Sequence, residues 1–100
     1  MAYGKPIVSH DSGVYYKDSG ILVGSRRLVN EGVARLVSRF SVPLPWAVAM
    51  ASLNPARYLG FLEKGALLPG YDGDVAIFSR DFKTCLFVAW EGSAIFDSLQ

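Results

Sequence analysis

Few side chains in this sequence have the reach for chemistry, and they are scattered. His10 is the single histidine and Asp11 follows it, a pair that invites reading as a metal-binding or proton-transfer couple. Neighbours on an extended segment point to opposite faces, so the two cannot readily serve one site, and a titratable loop histidine is expected instead. Cys85 is the single cysteine and lies in an apolar run. That excludes an internal disulfide and a cysteine zinc cluster, and fits a reducing compartment. Arg57 follows Asn54-Pro55-Ala56 and is expected to tie a short helix to a neighbouring loop rather than to clamp a phosphate. Gly24-Ser25 precedes a helical pattern, and a glycine there lets backbone amides come close to a ligand. A plain helix cap at Ser25 explains the same residues equally well.

The elements that would carry these residues can be read from periodicity. Gly4, Pro6, Gly13, Gly20 and Gly24 break the first 24 residues into loops, leaving Pro6 to Ser9 and Val14 to Tyr16 as at most a weak hairpin around His10-Asp11-Ser12-Gly13. From Ser25, apolar Leu28, Val29, Val33, Leu36, Val37 and Phe40 recur every three or four residues opposite Arg26, Arg27, Asn30, Glu31, Arg35 and Arg39, which predicts an amphipathic helix. Pro43 and Pro45 end it, and Pro45 suits the first turn of a second helix through Trp46 to Leu53. That helix is apolar nearly all round, with Ser52 its one polar residue, the mark of burial on more than one side. Asn54 and Pro55 predict the start of a short third helix and Gly60 its stop. Beyond, Asp74 to Ser79 and Thr84 to Trp90 read as strands, and Glu91-Gly92-Ser93 as a turn into Ala94-Ile95-Phe96.

Composition narrows the function classes. The chain has 100 residues, 51% of them hydrophobic, with a net charge of +1 and a mean hydropathy of +0.26. This is rich for a small soluble domain, and it implies that some apolar surface needs a partner. Acids and bases are interspersed, so nothing forms an electrostatic footprint for nucleic acid or an anionic membrane. The basic stretch Arg26, Arg27, Arg35, Arg39 has no interleaved aromatic and reads as a solvated helix face. Trp46, Met50, Phe87 and Trp90 read as core or interface rather than as a cofactor box. No apolar run reaches membrane-spanning length and no secretory leader pattern opens the chain, so a cytoplasmic location is expected.

Several segments, in order, resemble the end of N-acetylglucosamine-6-phosphate deacetylases of the amidohydrolase superfamily. Gly20-Ile21-Leu22-Val23-Gly24-Ser25 is similar to a Gly-Thr-Leu-Ala-Gly-Ser segment of that family. Met50 to Arg57, reading Met-Ala-Ser-Leu-Asn-Pro-Ala-Arg, matches almost letter for letter. Leu68-Pro69-Gly70-Tyr71-Asp72-Gly73-Asp74-Val75 resembles the Pro-Gly-x-x-Ala-Asp segment shared across amidohydrolases, and Val88 to Phe96 their closing hairpin. Ile21, Val23, Arg26-Arg27 and Gly73 depart from the family letters.

The resemblance implies an α+β fragment. Residues 1–60 would be a helical segment from the end of a (β/α)8 barrel, and residues 61–100 an antiparallel meander of the β-sandwich. It implies hydrolysis of the N-acetyl amide of an amino-sugar phosphate in an intact enzyme, using a divalent metal, zinc or iron, held by upstream histidines and carboxylates. One histidine cannot reproduce such a site. The resemblance therefore implies no catalytic residue, no metal ligand and no cofactor in this chain, and inactivity in isolation. It places Leu22, Val23, Gly24 and Ser25 nearest a substrate. The implied partners are the missing N-terminal part or a second copy; a homo-oligomeric binding or assembly module is the alternative.

Overall fold

The protein is described here by a computed structural model, which covers residues 1–99. The amphipathic stripe becomes α1 (Val29–Phe40), with Val33 buried on its inner face. Its start is later than the periodicity suggests. The Leu28 amide donates to Glu31 Oε2 at 3.0 Å, closing the first turn from within. Ser25 is not the cap, because its hydroxyl accepts from the Arg27 amide at 2.9 Å in a turn ahead of the helix. At the other end Ser41 takes a left-handed conformation, and the Val42 amide returns to the Leu36 carbonyl at 3.0 Å.

Pro45 lies in the first turn of α2 (Leu44–Ala51), where its missing N–H leaves no bond unmade. Ser52 breaks the chain between α2 and α3 (Leu53–Tyr58). The helical boundary thus falls two residues before Asn54, which lies inside α3 instead of capping it. Gly60 stops α3 with a φ of +81°.

The two strand regions form separate sheets. In the first, β1 (Ile7–His10), β2 (Gly13–Tyr16) and β3 (Leu22–Gly24) pair antiparallel in that order. The opening segment, expected to give at most a weak hairpin, is therefore a three-stranded sheet; the glycines that closely bracket β3 hide it from periodicity. In the second, β4 (Val75–Phe78), β5 (Cys85–Trp90) and β6 (Ser93–Asp97) form the expected meander. Glu91 and Gly92 join β5 to β6 with both φ values positive, at 48° and 82°, the backbone of a tight hairpin turn that matches strand twist. Among the described residues the class is a small α+β arrangement of two antiparallel sheets and three helices.

What the elements do not do matters more. Among the described residues, close backbone contact joins only elements adjacent along the chain, within each sheet and from α1 to α2 to α3. The buried apolar residues are Val33 and Ala47, both where α1 crosses α2. The chain exposes 7757 Å², about 2,200 Å² more than the roughly 5,600 Å² of a compact protein of this mass. Its radius of gyration is 16.4 Å, against about 13 Å for a compact chain of this length. Large apolar side chains share in that exposure: Trp46, Met50, Trp90, Ile95 and Phe96 are all exposed.

Candidate functional site

The corner between β3 and α1 holds the residues singled out for substrate contact. β3 is held by β2, with Tyr15 opposite Leu22 and Val14 opposite Gly24 across a bulge. Gly13 makes this pairing possible: a Cβ there would lie 2.9 Å from Leu22 Cδ1 and 3.0 Å from the Gly24 carbonyl. Leu22 and Ser25 are exposed, while Val23 and Gly24 are half-buried. The four residues are contiguous and end in the turn closed by Ser25. Arg26 leaves that turn and reaches Asp11 Oδ1 at 3.1 Å, an exposed pair that pins the corner to the β1–β2 turn.

The other candidates are dispersed. His10 packs its ring against Tyr15, 5.8 Å between centroids, while Asp11 turns to Arg26. The two do not converge. Arg57 is exposed on α3 and makes no side-chain hydrogen bond or ion pair among the described residues, so it does not tie its helix to a loop. Cys85 is half-buried in β5 and free. Among the described residues, no three His, Cys, Asp or Glu side chains are grouped to hold a metal ion. The side chains of the described residues thus do not fit a metal centre.

A polar clasp emerges that spacing alone did not suggest. Lys64 Nζ lies 2.9 Å from Asp72 Oδ2 and 2.7 Å from Asp74 Oδ2. Asp74 Oδ1 also accepts from the Glu91 amide at 2.9 Å. The hydrogen bond from Lys64, then that from the Glu91 amide, holds the Asp74 carboxyl below the usual carboxylate range. Bonding to Asp74 and then Asp72 pushes Lys64 up from its ordinary 10.5. The clasp ties the loop before β4 to the β5–β6 turn, and the Gly92 amide, donating to the Gly73 carbonyl at 2.9 Å, closes it. A second link joins helix to sheet: Asn30 Nδ2 donates to the Phe82 carbonyl at 2.6 Å. Carboxylates and amines were visible in the sequence, but only the fold brings residues 64, 74 and 91 together.

Residues 13–96 match the amidohydrolase family, from the second strand of the first sheet to the last strand of the second. The chain belongs to the amidohydrolase family. Among solved structures, this amidohydrolase chain is similar to N-acetylglucosamine-6-phosphate deacetylase from Pasteurella multocida, with a TM-score of 0.79 and 26% identity. The match covers 91% of this chain and 24% of that one. The same enzyme from Thermotoga maritima gives a TM-score of 0.77 over 92% of this chain and 25% of that one, and at 21% identity it speaks for the fold alone. Among curated sequences, an adenine deaminase of Methanothrix thermoacetophila is 34% identical over 56 residues, which are 56% of this chain and 10% of that protein. Adenine deaminase 2 of Rhizobium meliloti is 36% identical over 55 residues, 53% of this chain and 9% of that protein. The chain thus spans about a tenth of the curated relatives and about a quarter of the solved structures it matches.

Proposed function

We propose that this chain is the C-terminal part of an amidohydrolase resembling N-acetylglucosamine-6-phosphate deacetylase, and that it is inactive by itself. The likeness to the Pasteurella multocida deacetylase over 91% of the chain carries this reading. In it, residues 1–60 belong to the end of the barrel and residues 61–100 to the β-sandwich. The β3–α1 corner, Leu22 to Ser25, approaches the sugar phosphate of the assembled enzyme. Histidine ligands, metal and the catalytic carboxylate come from polypeptide that precedes the matched segment in the longer relatives, and a cytoplasmic amino-sugar metabolism is the setting.

The test has two arms. The 100-residue chain, given N-acetylglucosamine 6-phosphate with zinc or iron, should release no acetate; turnover abolished by a chelator would overturn the inactivity. Co-expressed with the barrel part of a deacetylase, the chain should support acetate release, and substitution of Leu22 or Ser25 should raise KM more than it lowers kcat. The shorter sequence likeness to adenine deaminases favours a second reading, hydrolytic deamination of adenine. Ammonia released from adenine, with no acetate from the amino sugar, would select it.

A further inference from the structure

All four residues of the β1–β2 turn act on one place. His10 and Gly13 face each other across β1 and β2, as Tyr15 and Leu22 do across β2 and β3, so the alternation of strand side chains puts these four positions on one face of the first sheet. The His10 ring lies 5.8 Å from that of Tyr15, and the Ser12 hydroxyl is hydrogen-bonded to the Tyr15 phenol at 2.8 Å. Asp11 holds Arg26, the residue after Ser25, at 3.1 Å. Gly13 is buried, and a Cβ on it would meet Leu22 Cδ1 at 2.9 Å, the Gly24 carbonyl at 3.0 Å and Tyr15 Cε2 at 3.8 Å.

These contacts matter because β3 has little else to hold it. It is three residues long and lies at the edge of its sheet, paired with β2 alone. Leu22 is 58% exposed, so its place is set by what lies beneath it: the bare Cα of Gly13, with Tyr15 alongside. His10 and Asp11 do not meet each other, yet both brace the same corner.

We propose that residues 10–13, with Tyr15, form a positioning bracket for the Leu22 to Ser25 corner, Gly13 and Tyr15 being its principal members. The inference rests on the reading of that corner as the part nearest the sugar phosphate in the assembled enzyme. No bracket residue touches substrate; each acts through Leu22, Gly24, Tyr15 or Arg26. A methyl group added at Gly13 must bring Leu22 Cδ1 from 2.9 Å to the 3.4 Å of ordinary contact, a shift of about 0.5 Å. The Leu22 side chain can swing aside, whereas the Gly24 carbonyl is backbone and moves only with its strand. Either response alters the corner, and a misplacement of about 1 Å costs up to about a hundredfold where a substrate must be held in one geometry.

Steady-state kinetics of the chain co-expressed with the barrel part of a deacetylase test this. Gly13→Ala should raise KM for N-acetylglucosamine 6-phosphate about tenfold while kcat changes by less than about threefold. Gly4→Ala, at a φ of +73° with nothing within 4 Å of its notional Cβ, should leave KM at the wild-type value. Tyr15→Phe and Ser12→Ala keep the test open if Gly13→Ala misfolds. Each removes one partner of the same hydrogen bond and should raise KM about two- to tenfold, with the double variant no worse than either. Amide resonances of the 100-residue chain give a measurement that needs no substrate: Gly13→Ala, or Tyr15→Phe in its place, should move the signals of residues 22–25 and leave those of α2 and α3 where they are. Unmoved corner signals, a KM no higher than that of Gly4→Ala, or a kcat that falls as far as KM rises would overturn the bracket. A wild-type complex that releases no acetate while the corner signals move in the variants overturns the deacetylase reading and leaves the bracket standing.

Discussion

Gly65 is where one methyl group should do the most damage. Its φ is +95°, and a Cβ there would lie 2.8 Å from the Leu53 Cα and 3.0 Å from the Ser52 carbonyl, both backbone atoms at the α2–α3 junction. Gly70 offers a matched control, with a φ of +86° and nothing within 4 Å of its notional Cβ. Forcing an L-residue into the left-handed region costs about 1–2 kcal/mol at either position. At Gly65 the clash adds to that, because the backbone it meets cannot rotate away like a side chain. A total of roughly 3 kcal/mol follows, the scale at which strain and overpacking combine. In a domain of this size, 1 kcal/mol moves Tm by about 4–8 °C. Gly70→Ala should therefore lower the melting midpoint, followed by far-UV circular dichroism on the whole chain, by about 4–16 °C. Gly65→Ala should lower it by at least several degrees more. Equal shifts in the two variants would refute the claim that the loop at residue 65 is seated against the α2–α3 junction.

Two further outcomes are expected. Asp74 has its carboxyl held below its ordinary 3.8, so the unfolded chain binds more protons near and below that pH; the clasp is intact above it and is lost as pH falls through the depressed value. Lys64 is raised above its ordinary 10.5, so its contribution is complete below 10.5 and fades only in stronger alkali. A pH series of melting midpoints should show loss on the acid limb, flattened in Asp74→Asn, and the reasoning fails if the steep loss lies on the alkaline limb below 10.5. The Arg26–Asp11 pair, with side chains 48% and 105% exposed, should contribute little: Asp11→Ala should change stability by less than about 1 kcal/mol, and a larger loss would show that the corner depends on it.

Much of the fold was legible because its signals are local. The three-to-four spacing from Leu28 to Phe40 marked α1, the prolines at 43 and 45 placed the break before α2, and the Val, Ile and Phe runs gave β4 and β5. The misread boundaries trace to side chains that act at short range in more than one way. Ser25 closes a turn instead of a helix, Glu31 reaches back to the Leu28 amide, and Asn54 lies inside α3 because Ser52 already breaks the chain. β3 escaped notice because three residues between Gly20 and the Gly24-Ser25 pair are too few for alternation to register; its pairing with β2 is a tertiary fact. In the candidate corner, Gly24-Ser25 was legible from its place ahead of a helical pattern, whereas Leu22 and Val23 were visible only through family resemblance. The Lys64 clasp depends on residues far apart in sequence, and Arg57 lacks the loop partner its position suggested.

Among the described residues, close backbone contact joins each element only to the one before or after it, apart from single bonds such as that from Asn30 to the Phe82 carbonyl. Low sequence separation between contacts makes for rapid assembly. Such a polypeptide can take shape piece by piece as it leaves the ribosome, with almost no early segment waiting on a later one. What such a fold leaves open is its exposed apolar surface rather than its topology.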